Sequence, residues 1–535
     1  MKRSRIGLSL IALAAAGALA LSGCSSNSGS GAAGDGIIIA NGTEPQNALI
    51  PTNINEVGGG KIADNIFSGL IHYTETGAVE NDMAESIETT DSKTFTIKIK
   101  PDAKFSDGTQ VKAENFVKAW NFGAALDNAQ LNSYFFEDIE GFSWDENVAE
   151  LSGLKVVDDT TFTVTLNQPA ADFPIRLGYT AFSPLPDVAF EDMEAFGQAP
   201  IGNGPYKLAS DKAWAHDEQI ELVKNEDYSG TREVQNNGLT IKFYSTLDAA
   251  YADLLAGNLD VLDEIPDTQY ANYEADLGDR AVSQPAALNQ TFTIPETLAH
   301  FEGEEGKLRR QALSMAIDRD QITEKIFDGT RTPAVDFTSP VIDGWSDSLK
   351  GKEVLEFNPE EAKKLWAEAD KISPWTGTFE IAYNGDANHQ AWVDAVTNGI
   401  KNNLGIDAAG KVYPKFDVLR EEVTNRTIGA AFRTGWQADY PGLFNFLGPI
   451  FGTNAGANDG DFSDPEFDAL LKQGSTADTV EDANKAFNQA QEILLQDLPA
   501  IPLWYQNVNG GYSENVDNVA FGWNSVPLYY EITKK

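Results

Sequence analysis

The sequence predicts an α/β protein, on three observations: runs with the two-residue period of half-buried strands, runs with the spacing of amphipathic helices, and their interleaving along the chain. Phe95, Ile97 and Ile99 share one face of one run, Phe162, Val164 and Leu166 one face of another, and both runs are polar on the opposite face. Between them, Phe116, Ala119, Trp120 and Ala124 recur at helical spacing after the turn Ser106-Asp107-Gly108-Thr109. Farther along, Asp318 with Gln321 makes a capping box before Ile322 and Ile326, with Gly329 at the C′ position. Asn358, Pro359 and Glu361 supply an N-cap, an N1 proline and a box partner before Ala362, Leu365, Trp366 and Ala369. The chain has no sustained repeat and no heptad, which argues against a solenoid or coiled coil.

The first residues predict export. Lys2, Arg3 and Arg5 precede an apolar stretch from Ile6 to Leu21, and Leu21-Ser22-Gly23-Cys24 closes it with small residues. The stretch is short for a bilayer span, which takes about 20 residues. Leu-Ser-Gly-Cys resembles the bacterial lipobox, so residues 1–23 are expected to be a lipoprotein signal peptide and Cys24 the acylated first residue of the mature chain. Cys24 is the only cysteine among 535 residues, so no intrachain disulfide forms and stability must come from packed cores. Residues 24–36 are almost entirely Ser, Gly, Asn and Ala, a flexible tether that holds the protein on a membrane surface without spanning it.

The remaining length is enough for roughly three domains, and 42% of the chain is hydrophobic. The formal charge is −42 and becomes more negative when Lys2, Arg3 and Arg5 leave with the signal peptide. Such a field repels nucleic-acid phosphates and anionic lipid heads. It does not identify a cationic ligand, because most carboxylates belong to a solvated face.

Common catalytic constellations are missing from the sequence. There is no Gly-x-Ser-x-Gly elbow and no His-Glu-x-x-His helix. Lys61 follows Gly58-Gly59-Gly60, but Ile62 stands where a phosphate-binding loop needs Ser or Thr. His72, His216, His300 and His389 are scattered, and His216-Asp217-Glu218 reads as a polar loop rather than a metal cluster. With 81 acidic residues, a carboxylate pair for glycoside hydrolysis carries no information. No enzymatic activity, cofactor or metal is expected.

Several punctuated segments occur in one order: Gly42-Thr43-Glu44-Pro45, Asn65-Ile66-Phe67-Ser68-Gly69-Leu70, Met83-Ala84-Glu85-Ser86 and Lys104-Phe105-Ser106-Asp107-Gly108-Thr109. They continue through Pro200-Ile201-Gly202-Asn203-Gly204-Pro205-Tyr206, Asn225-Glu226-Asp227-Tyr228, Ala256-Gly257-Asn258-Leu259-Asp260 and Arg310-Gln311-Ala312-Leu313. Ala316-Ile317-Asp318-Arg319 follows, and Gly435-Trp436-Gln437-Ala438-Asp439-Tyr440 closes the series. As a set they resemble the peptide-binding family of ABC-importer solute receptors, family 5, whose members take oligopeptides, dipeptides or nickel. The resemblance runs from about residue 37 to the end. It breaks between about 292 and 307, where an acidic segment from Ile294 to Gly306 replaces a proline-rich turn, and Gln437 stands where some members carry a disulfide cysteine.

The resemblance implies a two-lobed periplasmic-binding-protein-like fold with a hinge and an additional domain inserted in the first lobe. Carried over, residues 37–57, 206–295 and 506–535 form lobe I, residues 58–205 the inserted domain and residues 296–505 lobe II. It also implies a receptor that captures oligopeptides between its lobes and delivers them to ABC permease and ATPase subunits. The expected form is a monomer lipid-anchored to the outer face of the bacterial cytoplasmic membrane. Asp439 matches the family's ammonium-binding aspartate, and Trp436 belongs to the same motif, although turn and core roles are open to them. Arg433 aligns with an arginine that meets the peptide carboxylate, while Glu44, His389 and Phe416 align with cleft-lining positions. Tyr134-Phe135-Phe136 lies near a side-chain pocket, or is a buried strand.

Two other classes stay open. A receptor for an oligosaccharide or chelated metal would use the same scaffold, but a neutral sugar leaves Asp439 unpaired. A surface-anchored hydrolase or adhesin is the second, since a fold does not establish function.

Overall fold

The computed structural model describes residues 36–535 apart from 386, 387, 415 and 478, and the side chains of Phe416 and Asp417 also lie outside the description. The expected signal peptide, Cys24 and tether as far as Asp35 are therefore outside it.

The strands expected from alternation form as predicted. Thr94–Ile99 buries Phe95, Ile97 and Ile99, and Thr161–Thr165 buries Phe162 and Val164 while Leu166 bridges to Ile139. They pair antiparallel in a four-stranded sheet with Ala84–Glu88 and Leu154–Asp158. The helix Ala113–Ala124 turns Phe116, Ala119, Trp120 and Ala124 into the core. Each fully buried large aromatic there contributes about 2–3 kcal/mol, and Trp120 keeps its indole N–H satisfied by donating to Phe182 O at 2.9 Å.

Both capped helices are present. Asp318 accepts from Gln321 N at 2.9 Å at the start of Arg319–Lys325, and Asn358 accepts from Glu361 N at 3.2 Å at the start of Pro359–Ile372. The first ends sooner than Gly329 implied. Gly329 is left-handed, with φ 79°, but belongs to the turn beyond the helix, where its N–H reaches back to Thr323 O at 3.0 Å. The acidic segment 294–306 is a packed loop that buries Ile294 and Phe301 and runs into the helix Gly303–Met315.

Two large apolar cores divide the molecule, one containing Trp120, Phe162 and Ile241, the other Trp366, Trp392 and Trp504. A continuous sheet joins them. On one side it runs Asp407–Tyr413, Thr378–Asn384, Ala431–Gln437; on the other Val261–Leu262, Ile37–Gly42, Gly238–Phe243, Gln219–Lys224, Tyr206–Leu208. Between these sets lie two 13-residue antiparallel strands, Ala281–Thr293 and Ala500–Tyr512. Their ladder slips between Pro285 and Asn289, where proline contributes no donor and a bulge bends the pair. The two cores are thus connected through a shared, locally interrupted ribbon.

Candidate functional site

A cleft of about 1390 Å³ opens beside this ribbon, larger than the few hundred to about 1,000 Å³ usual for a small-molecule pocket. It is lined by residues 432–437 of the strand Ala431–Gln437 with the turn that follows it, by Tyr73, Tyr134 and Tyr179, and by Asn289 and Thr291 of the ribbon.

The strand is placed by close contact with the ribbon. Residues Phe432 to Gln437 pair antiparallel with Thr293 to Leu288. A side chain at Gly435 would put its Cβ 2.6 Å from Asn289 O, so only glycine permits this approach. The neighbouring Trp436 N donates to Asn289 Oδ1 at 3.0 Å, and Asn289 Nδ2 donates to Phe337 O at 2.6 Å. On its other edge the strand pairs in parallel with Thr378–Asn384 only at Ala431 and Phe432. From Arg433 to Gln437 it therefore has one ladder neighbour among the described residues, and these five residues line the cleft. An open strand edge of this kind offers main-chain donors and acceptors to an extended ligand.

Asp439 stands just beyond the end of that edge. Asn445, on the helix Leu443–Phe451, donates from Nδ2 to Asp439 Oδ2 at 2.8 Å. Its Oδ1 accepts from Asp439 N at 2.9 Å and from Trp436 Nε1 at 2.9 Å. The indole and the carboxylate are thereby fixed to one side chain. Burial pushes the Asp439 carboxyl up to about 7, against the opposing pull of Asn445 and the Tyr179 hydroxyl. Among the described residues no cation comes within ion-pair distance of it. A carboxylate so placed favours a cationic ligand group, which would supply the missing charge.

The other residues singled out from the sequence separate into groups. Arg433 lines the cleft, with Nε donating to Asn384 Oδ1 at 2.8 Å. Tyr134 lines it too, but Tyr134-Phe135-Phe136 is a 3-10 turn, Ser133–Phe136, rather than a buried strand; Phe135 and Phe136 are core, and Phe135 stacks on Tyr179 at 4.4 Å. Glu44 is not in the cleft wall. It accepts from Trp214 Nε1 at 3.0 Å and Asp217 N at 3.0 Å and pairs with His216 at 2.7 Å. His389 lies outside the described wall as well, accepting from Trp392 Nε1 at 3.1 Å ahead of the helix Gln390–Leu404. Phe416 begins the helix Phe416–Thr424, but its side chain is outside the described part. Gln437 donates to Asn524 O at 2.7 Å.

Asn289, Asn445, Tyr73 and Tyr179 were not singled out by the sequence. Tyr73 Oη donates to Ile175 O at 2.6 Å, and its ring meets Trp523 edge-on at 5.5 Å. Across the cleft, Arg176 pairs with Asp138 at 2.6 Å and Asp172 at 3.0 Å while its guanidinium lies 5.2 Å from the Phe444 ring. Among the described residues no helix is long and apolar enough to cross a membrane.

Comparison with known proteins agrees with this architecture. The chain is 27% identical to the periplasmic oligopeptide-binding protein OppA of Salmonella typhimurium over 515 residues, 90% of each chain. It is 25% identical to the dipeptide-binding protein DppE of Bacillus subtilis over 492 residues, 88% of this chain and 87% of that one. In fold it resembles the murein tripeptide binding protein MppA of Escherichia coli, with a TM-score of 0.81 at 22% identity over 93% of this chain and 98% of that one. It likewise resembles OppA of Haemophilus influenzae in complex with RPPGFSPFR, with a TM-score of 0.78 at 25% identity over 94% and 99% of the two chains. The profile described as "Bacterial extracellular solute-binding proteins, family 5 Middle" matches residues 78–458, more than two thirds of the sequence. The chain belongs to the family 5 bacterial extracellular solute-binding proteins.

Proposed function

We propose that this protein is the receptor of an ABC importer for oligopeptides, binding them in the cleft and releasing them unchanged to a membrane permease. The observation that carries the reading is the continuity of an open strand edge, Arg433–Gln437, with a carboxylate that has no ion-pair partner among the described residues, Asp439. A peptide has the complementary pattern, a regular backbone ending in an ammonium. Main-chain hydrogen bonds give affinity without regard to sequence, and the buried charge pair fixes the register. Trp436 flanks the bound chain, and Arg433, with a fork suited to a carboxylate, meets its other end.

The division into lobe I, inserted domain and lobe II at the boundaries expected from sequence belongs to the same reading, with closure about the ribbon that contains Pro285 and Asn289. So does attachment through lipid at Cys24. A neutral oligosaccharide would leave Asp439 without a counter-charge.

Native mass spectrometry of protein purified from its own host tests the proposal. A ladder of peptide masses, returned intact after prolonged incubation, is the expected result; a single sugar mass, or peptides cut during incubation, would refute it. Fractionation tests the anchor, since Cys24→Ala should leave the membrane fraction.

A further inference from the structure

Among the described residues, Asp439 is not the only carboxylate of the cleft without a cation. Most of the others are occupied: Asp138 pairs with Arg176, Asp459 with Arg420 and Arg426, and Glu56 caps a helix by accepting from Gly59 N at 2.9 Å. Asp468 accepts from Thr453 N at 3.1 Å, and Glu137 from Trp144 Nε1 at 3.1 Å on an exposed rim. Asp64 differs. It lies in the helix Val57–Ile66 and lines both the cleft and a smaller pocket of about 100 Å³ behind Tyr73 and Thr180. Thr180 Oγ1 donates to Asp64 Oδ1 at 2.8 Å, whereas Oδ2 has no hydrogen-bond donor and the residue no ion pair among the described residues.

The nearest cation does not neutralise it directly. Arg232 donates to the main-chain oxygen of Asp64 at 2.6 Å and directs the rest of its guanidinium to Ser68, Phe67 and Asp82. Asp64 and Asp439 share one neighbourhood: both line the cleft together with Tyr73 and Tyr179, and Thr180, which donates to Asp64, directly follows Tyr179. Burial also pushes the Asp64 carboxyl upward, with Thr180 and Arg232 opposing, so a ligand cation would relieve a carboxylate that the protein leaves incompletely compensated.

We propose that Asp64 is a second cation subsite beside Asp439, selecting peptides whose first residue carries a basic side chain. This rests on the peptide reading above. Asp439 takes the α-ammonium, and the side chain of the same residue extends past Tyr73 and Tyr179 toward Asp64 Oδ2. The protein's overall negative charge favours basic peptides in any arrangement; a built subsite favours a basic group at one position.

Isothermal titration distinguishes the two with tripeptides of alanine carrying lysine, norleucine or Nε-acetyl-lysine at position 1, 2 or 3. Norleucine keeps the apolar stem and removes the charge. The wild-type protein should prefer lysine over norleucine at position 1 by about tenfold or more, as for a hydrogen bond to a charged group. The preference should be small at positions 2 and 3, absent for the acetylated side chain, and reduced to near parity at position 1 in Asp64→Asn. Asp64→Glu should restore part of it. Binding of the norleucine peptide with no position-1 preference for lysine, with equal preference at all positions, or with the preference intact in Asp64→Asn overturns the subsite and leaves the peptide reading standing. Failure of every peptide to bind overturns the peptide reading and the subsite with it. The wild-type series decides the matter even if a variant does not fold.

Discussion

Asn445 holds Asp439 by two hydrogen bonds, giving one to Oδ2 at 2.8 Å and accepting another from the main-chain N at 2.9 Å. The same amide oxygen accepts from the Trp436 indole. One side chain, buried at the start of a helix, thus sets both the orientation of the carboxylate and the position of the ring.

Asn445→Ala should therefore weaken ligand binding without touching the ligand. The substitution strands the Trp436 N–H and the Asp439 N–H, each costing about 1–3 kcal/mol if left unsatisfied, and frees the carboxylate to turn. A loss of affinity of at least about tenfold by titration, with a lower melting temperature, is expected. Unchanged affinity would mean that Asp439 needs no such positioning.

The pH dependence has a definite sign. Burial lifts the Asp439 carboxyl to about 7 in the ligand-free protein, above about 3.9 for an unfolded aspartate. The folded state holds this proton more tightly, so its stabilisation is complete below about pH 4 and is lost as pH rises through about 7. Ligand-free Asp439→Asn should accordingly melt above wild type at pH 8 and close to it at pH 4. An ammonium ligand requires the ionised form, so wild-type affinity should fall from pH 8 to pH 6 with proton uptake by the free protein. An Asn variant less stable than wild type at pH 8 would contradict the burial argument.

On the closure proposed above, Arg176 latches the closed form. Its ion pairs to Asp138 and Asp172 lie on one side of the cleft, while its guanidinium faces the rings of Phe444, at 5.2 Å, and Tyr440, at 5.8 Å, on the other. A desolvated cation–ring contact is worth about 2 kcal/mol. Arg176→Gln should weaken ligand binding and enlarge the ligand-free radius of gyration in solution scattering, because the closed form loses contacts that an open form never had. The same scattering curve and affinity as wild type would remove the latch from the account.

The sequence disclosed whatever depends on local pattern. Alternation located the strands around Phe95 and Phe162, and cap chemistry located the helix starts at Asp318 and Asn358, since both signals lie within a few residues. Resemblance pointed to Asp439, Trp436 and Arg433, which line the cleft, and the structure adds a physical reason for Gly435, whose missing Cβ lets the strand approach Asn289. What stayed hidden depends on distant segments meeting. Tyr73, Tyr179 and Asn289 come from three separate parts of the chain, and nothing in their own neighbourhoods marks them as neighbours of Asp439. Glu44 belongs with them: it meets Trp214 and Asp217, which lie far along the chain, and its own neighbourhood gives no sign of those donors. Tyr134-Phe135-Phe136 has the composition of a strand, yet forms a turn because its rings pack in different directions, one to the cleft and two to the core.

Whether the Asp439 carboxylate pairs with a peptide ammonium is decided by a four-cornered isothermal titration. Wild type and Asp439→Asn are each titrated with one peptide and its N-acetylated form. Asp439→Asn should cost the free peptide on the order of 3–5 kcal/mol, the loss typical of breaking one side of a buried pair. Acetylation should cost wild type a comparable amount and the Asn variant much less, because both changes remove the same interaction. Strictly additive losses, leaving no coupling between residue and ammonium, would contradict the claim.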